Sequence, residues 1–312
     1  MVTILIWTIQ LLLVPALSPL LIGVVRKMKA RLQNRKGADI FQPYRDLWKL
    51  MHKDEVISED ASWVFRTAPY IIFGITMIVG ASIPLFTTLI PDILLHDFLV
   101  IVYLLAIGTF FLALAGLDTG NAFGGFGSSR EMVVAALAEG GFIFSFLVLA
   151  LLSNSTNLFS IAEHVETLRL HSNVEFVSIG FAFFGFFIVL LAETGRYPFD
   201  NPSTHLELTM IHEAMILEYS GKRLALVEWA AANKFMIFLA LGVNLFFPWG
   251  MANSSDFTDI IVSLALFLSK MLGFCLTIAT LESRVAKIRF FRIPDILFTS
   301  FILCVIAIVI II

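Results

Sequence analysis

Hydrophobic residues fall in eight long, uninterrupted runs: residues 2–25, 67–91, 97–117, 131–152, 174–194, 230–250, 258–281 and 294–312. Each can cross roughly 30 Å of hydrocarbon as an α-helix, at about 1.5 Å per residue. The runs are continuous rather than alternating, which excludes a membrane β-barrel, where every second residue faces inward. The pattern predicts an all-α integral membrane protein of about eight transmembrane helices, forming a single membrane domain over residues 1–312.

Composition identifies the solvent. Of 312 residues, 59% are hydrophobic and 14% charged, whereas a soluble domain carries about 25% charged residues. The lipid bilayer is therefore the expected surroundings, and no nucleic-acid partner is expected. The N-terminal run lacks a preceding basic stretch and is too long for a secretory signal, so an uncleaved helix is expected. Cys275 and Cys304 both lie within apolar runs. They read as packing residues, and neither an iron–sulfur cluster nor a structural metal site is expected in this chain.

Lysine and arginine decide the orientation. Eighteen lie in segments 26–66, 118–130, 195–229 and 282–293, one (Arg169) lies in the alternate segments, and Lys234 and Lys270 lie within spans. The positive-inside rule then places those four segments in the cytoplasm and both termini outside.

The first of these segments contains Arg31-Leu-Gln-Asn-Arg35-Lys-Gly37, then Phe41-Gln-Pro43-Tyr44-Arg45-Asp46-Leu47-Trp48-Lys49. Pro43 suits a first helical turn, and the mixture of apolar and basic positions after it predicts an amphipathic cytoplasmic surface helix. Such a helix can anchor in the headgroup plane, cover a lipophilic substrate, or dock soluble subunits. The second segment is rich in glycine from Gly116 to Gly127 and reads as a tightly packed loop, with Ser128 capping a helix that has Glu131 at its third position. It lacks the Lys-Ser/Thr partner of a phosphate loop. A short surface helix is expected over 161–170.

Ionisable residues inside a bilayer are costly and are usually kept for a task. Here they include Glu139, Glu193, Lys234 and Lys270, with Glu282 at a helix end. Glu131 and Glu139 are eight positions apart, within roughly 80° on a helix. The third cytoplasmic segment adds Asp200, Glu207, Glu213, Glu218 and Glu228, with His205 and His212. Two histidines seven apart could begin a metal site, but no third ligand accompanies them, so a solvated or proton-conducting acidic face is the preferred reading.

One stretch ties these features together: Ala192-Glu193-Thr-x-Arg196-x-Pro-Phe199-Asp200-x-Pro202, followed by Glu207-Leu and Glu218-Tyr-Ser-Gly221. With Gly116-Leu-Asp118-Thr-Gly120, Ser128-Ser-Arg-Glu131 and Gln33-Asn-Arg35-x-Gly37, it resembles the signature of respiratory complex I subunit 1, the H subunit of bacterial NADH–quinone oxidoreductase. The short path from Gly37 to Tyr44, and Ser203 and His205 in place of acidic family positions, resemble the hydrogenase branch: the membrane subunit of formate hydrogenlyase or hydrogenase-4.

The resemblance implies a prokaryotic cytoplasmic (inner) membrane and a subunit that couples redox chemistry to ion movement. It implies partners: peripheral hydrogenase and iron–sulfur subunits carrying the nickel–iron and iron–sulfur centres, and antiporter-like membrane subunits. It implies a proton path through Asp118, Glu131, Glu139, Glu193, Asp200, Glu207, Glu213 and Glu218, with Arg35, Arg196, Lys234 and Lys270 tuning charge. Tyr44, Arg45, Trp48 and Phe199 would line a quinone-like cavity or dock the peripheral arm. Two alternatives stay open: a quinone-site subunit of a complex I-type enzyme, and a stand-alone ion transporter.

Overall fold

The computed structural model describes residues 2–88, 94–168, 173–200 and 210–312 except 253 and 255. Among them are eleven α-helices: α1 (Val2–Leu32), α2 (Gln42–Met51), α3 (Trp63–Ser82), α4 (Phe98–Asp118), α5 (Ala122–Ser153), α6 (Leu158–Leu168), α7 (Asn173–Glu193), α8 (His212–Met215), α9 (Gly221–Phe246), α10 (Phe257–Arg284) and α11 (Ile293–Ile311). Eight of these described helices are long and apolar enough to cross a membrane: α1, α3, α4, α5, α7, α9, α10 and, with the turn before it, α11. The chain is a multi-pass membrane protein.

Helix α9 is the hub. Its segment from Phe235 to Leu241 is buried on every face, and it packs against α1, α3, α7 and α10. Phe142 of α5, Phe186 of α7 and Phe238 of α9 meet with ring centroids 5.0–6.2 Å apart, giving the tilted and offset contacts that aromatic quadrupoles favour. Helices α10 and α11 form the outer flank, where Phe257, Phe298 and Val309 are exposed.

Prolines inside spans leave carbonyls without their helical N–H partner, and in a bilayer those carbonyls need another. Pro19 lies inside α1, and the indole N–H of Trp229 donates to the carbonyl of Pro15, four residues earlier, at 2.9 Å. Pro69 lies inside α3, and the Tyr219 hydroxyl donates to the Phe65 carbonyl at 3.0 Å. The hub is also tied by polar bonds: Ser18 of α1 to Asn233 of α9 at 2.6 Å, and Asn233 to Thr76 of α3 at 3.2 Å.

Several expected boundaries move. The glycine-rich stretch is helical rather than a loop. Asn121, not Ser128, caps α5 by accepting from the Phe123 amide at 3.0 Å. Ser128 is buried and donates to the Ala113 carbonyl on α4 at 2.8 Å. The reason is close approach: a Cβ on Gly124 would sit 2.2 Å from the Gly116 carbonyl oxygen. Helix α9 begins at Gly221, nine residues earlier than its apolar run. Helix α3 stops at Ser82, after which Thr87 pairs with Ala252 in an isolated bridge. The surface helix over 42–51 forms as the sequence predicts, and the second one covers 158–168 against the expected 161–170, of which 169 and 170 lie outside the described residues.

Candidate functional site

Helix α7 ends at Glu193 in a left-handed turn. Gly195 has φ +59, and the Arg196 amide returns to the Leu191 carbonyl at 2.9 Å, a glycine-terminated helix end that meets the last carbonyls. The turn presents Glu193, Arg196 and Asp200 to one cavity of about 860 Å³. Its walls come from α1, α2, α8, α9 and the end of α10.

Three carboxylates on this cavity are held by cations from distant segments. Glu193 pairs with Lys234 at 2.7 Å. Glu282, buried at the end of α10, pairs with Arg196 at 3.2 Å and Lys29 at 3.0 Å. Asp200 pairs with Lys287 at 2.7 Å and accepts from the amides of Ile211 at 3.3 Å and His212 at 3.2 Å. The Arg196 guanidinium also lies 4.2 Å from the Phe235 ring centroid, and the Lys29 ammonium 4.4 Å from that of Tyr197. Buried charges persist only with such partners, and removing one partner strands the other.

A second cavity, of about 40 Å³, lies deeper, between α3, α4, α5 and α9. It shares His212, Val227, Ala231 and Lys234 with the large one. Its other polar lining residues are Thr76, Thr109 and Glu131. A polar cavity of this size has room for a water. The Lys234 ammonium reaches Thr109 at 3.1 Å while bound to Glu193. Burial pushes the His212 imidazole below its ordinary value, with Lys234 adding to the shift while Glu213 and Asp200 oppose it.

The expected residues divide clearly. Glu193, Asp200, Glu213, Arg35, Arg196 and Lys234 line the large cavity; Glu131 and Lys234 line the small one. Asp118 lines neither and instead accepts from the amides of Ser62 at 2.8 Å and Phe65 at 3.2 Å, closing the start of α3. Glu218 bonds Asn121 at the start of α5. Glu139 lines neither cavity and makes no hydrogen bond or ion pair with a described residue. Lys270 donates to the carbonyls of Phe247 and Trp249, both at 2.9 Å, at the end of α9. Glu207 and His205 lie outside the described residues.

Helix α2 turns Pro43, Asp46, Leu47 and Leu50 toward the large cavity, a helical i, i+3, i+4, i+7 stripe. Tyr44, Arg45 and Trp48 are not among the lining residues. The Tyr44 hydroxyl donates to the Ala16 carbonyl of α1, and burial raises its pKa. Arg45 pairs with Asp39 at 3.1 Å. Trp48 is 69% exposed and lies 4.4 Å from the His52 ring. Phe199 is buried in the core. Lys29, Asp46, Glu228, Glu282 and Lys287 belong to the site without having been assigned to it by sequence. The sequence signals among them were the acid ending an apolar run at Glu282 and the place of Glu228 in the acidic third segment. Among the described residues, no three His, Cys, Asp or Glu side chains group to hold a metal ion.

Residues 3–312 match the family model described as NADH dehydrogenase. Formate hydrogenlyase subunit 4 of Escherichia coli (strain K12) is 33% identical over 294 residues, covering 94% of each chain. Hydrogenase-4 component C of the same organism is 34% identical over 304 residues, covering 96% of this chain and 92% of that one. A chain of the membrane-bound sulfane sulfur reductase, an archaeal respiratory membrane complex, superposes with a TM-score of 0.83 at 19% identity, covering 99% of both. That last likeness concerns the fold.

Proposed function

The chain belongs to the NADH dehydrogenase family, and on that premise we propose that it is the membrane-anchoring, redox-to-ion coupling subunit of a membrane-bound nickel–iron hydrogenase of the formate hydrogenlyase or hydrogenase-4 type. Peripheral hydrogenase and iron–sulfur subunits carry the redox centres, and antiporter-like membrane subunits receive the protons. The charged segments face the cytoplasm, with both termini outside. Exposed Arg45 and Trp48 on α2 serve the docking of the peripheral arm.

The observation that carries this reading is the line of carboxylates entering the membrane. Glu193 and Glu282 stand at the ends of α7 and α10, Asp200 lies in the turn after α7, and Glu131 lines the smaller cavity together with Lys234. Carboxylates separated by water-sized space and held by movable cations can pass protons stepwise.

A second reading draws on the cavity itself. At about 860 Å³ it falls in the range that encloses small ligands, which favours a quinone-site subunit. One purification separates the readings. The tagged chain is extracted in mild detergent, and its co-purifying subunits, nickel content and activities are measured. Nickel with hydrogen evolution supports the hydrogenase reading. Inhibitor-sensitive reduction of quinone by NADH, without nickel, replaces it with the second. A chain that purifies alone and moves ions in liposomes removes both.

A further inference from the structure

Lys234 is the side chain that borders both cavities while holding an acid in one of them. Its ammonium contacts Glu193 at 2.7 Å on the large cavity and the Thr109 hydroxyl at 3.1 Å on the small one. Glu131, across the small cavity, makes no hydrogen bond or ion pair with a described residue. The groups facing this point come from five elements: Glu193 on α7, Thr109 on α4, Thr76 on α3, Glu131 on α5 and His212 on α8.

We propose that Lys234 is a swinging cation that stands between two carboxylates, Glu193 and Glu131, and lets one proton at a time pass from the large cavity to the small one. The inference deepens the coupling role proposed above and rests on it. In the starting state of this cycle Lys234 holds ionised Glu193, and Glu131, which has no hydrogen-bonded cation among the described residues, carries a proton. A proton entering the large cavity neutralises Glu193 and frees the ammonium. The ammonium turns about its flexible stem into the small cavity, a move for which Thr109 already supplies an oxygen. Its charge there favours ionised Glu131, whose proton leaves to the cavity water. Glu193 has gained one proton, Glu131 has lost one, and Lys234 stays charged throughout. The return of Lys234 requires Glu193 to give up its proton and Glu131 to gain one, so the two acids are never both ionised beside a single cation. A fixed structural ion pair would need neither the shared wall nor a polar chamber behind it.

The test uses the whole membrane complex in proteoliposomes, driven by chemically reduced methyl viologen. Hydrogen evolution reports turnover, and an entrapped pH dye reports proton movement. Lys234→Met is expected to lose most of the protons moved per hydrogen, because the positioned proton-transfer step is removed, while turnover stays near wild type. Lys234→Arg, which keeps a mobile charge, is expected to restore most of the ratio. In infrared difference spectra, the protonated-carboxyl band lost in Glu131→Gln should shift in Lys234→Met and not in Lys234→Arg. If Lys234→Met prevents assembly, Lys234→Met with Glu193→Gln removes the stranded charge, and it should assemble and stay uncoupled. A wild-type proton ratio in either methionine variant overturns the swinging cation and leaves the coupling role standing. An assembled wild-type complex that evolves hydrogen and moves no protons overturns both.

Discussion

The Tyr219 hydroxyl donates a 3.0 Å hydrogen bond to the Phe65 carbonyl, which Pro69 leaves without an intrahelical partner. The same two rings stack with centroids 4.0 Å apart and planes 5° from parallel. Tyr219→Phe keeps the stack and deletes the bond, so it should cost about 0.5–1.5 kcal/mol and lower the melting temperature in detergent by a few degrees. In a Pro69→Ala background the helix supplies its own N–H to Phe65, and the same substitution should cost less. Equal costs in the two backgrounds would show that the tyrosine does not serve the proline gap.

Glu282→Gln removes the charge that holds Lys29 and Arg196. The Glu282 side chain is 2% exposed, so both cations are left in poorly hydrated surroundings. The expected loss is about 3–5 kcal/mol, seen as a collapse of the monodisperse peak in size-exclusion chromatography after mild heating. Asp39→Asn, at the solvent-exposed pair with Arg45, should leave that peak unchanged because water screens the charges.

The crossing of α4 and α5 depends on one glycine and not on its neighbour. Gly124→Ala would place a methyl 2.2 Å from the Gly116 carbonyl oxygen, whereas a Cβ on Gly125 meets nothing within 4 Å. Gly124→Ala should therefore lower expression and thermal stability. Gly125→Ala should be neutral or stabilising, by up to about 1 kcal/mol from helix propensity. Matching melting curves for the two variants would refute the close crossing.

The half-buried His212 makes stability depend on pH. Its pKa is depressed in the folded protein, first by burial. The unfolded chain therefore binds the proton more readily, and stability rises with pH across the window between the folded and unfolded values. The contribution is complete above about pH 6.5, the unfolded value, and is lost as pH falls toward the depressed folded one. Melting temperature should drop more between pH 7 and pH 5 in wild type than in His212→Gln. A steeper drop in the variant would reverse the assigned sign.

How much could be read in advance follows from what each feature depends on. The eight spans, the surface helix at Pro43 and the segments carrying the acids were legible because a bilayer imposes length and continuous apolarity on each stretch separately. The start of α5 was not legible, since glycines that suggest a loop become helical when another helix must come close. Pairings were also out of reach. Lys29 meets Glu282 across 253 positions and Arg196 meets it across 86, and no local pattern encodes such meetings. Two intramembrane lysines look alike in sequence, yet Lys234 holds Glu193 while Lys270 closes the end of α9. Glu131 and Glu139 look alike too, yet among them only Glu131 borders the small cavity. The amino-acid order determined where charge enters the membrane, because that cost is paid residue by residue. The packing of the helices decided which charges share a cavity, because that depends on which faces meet.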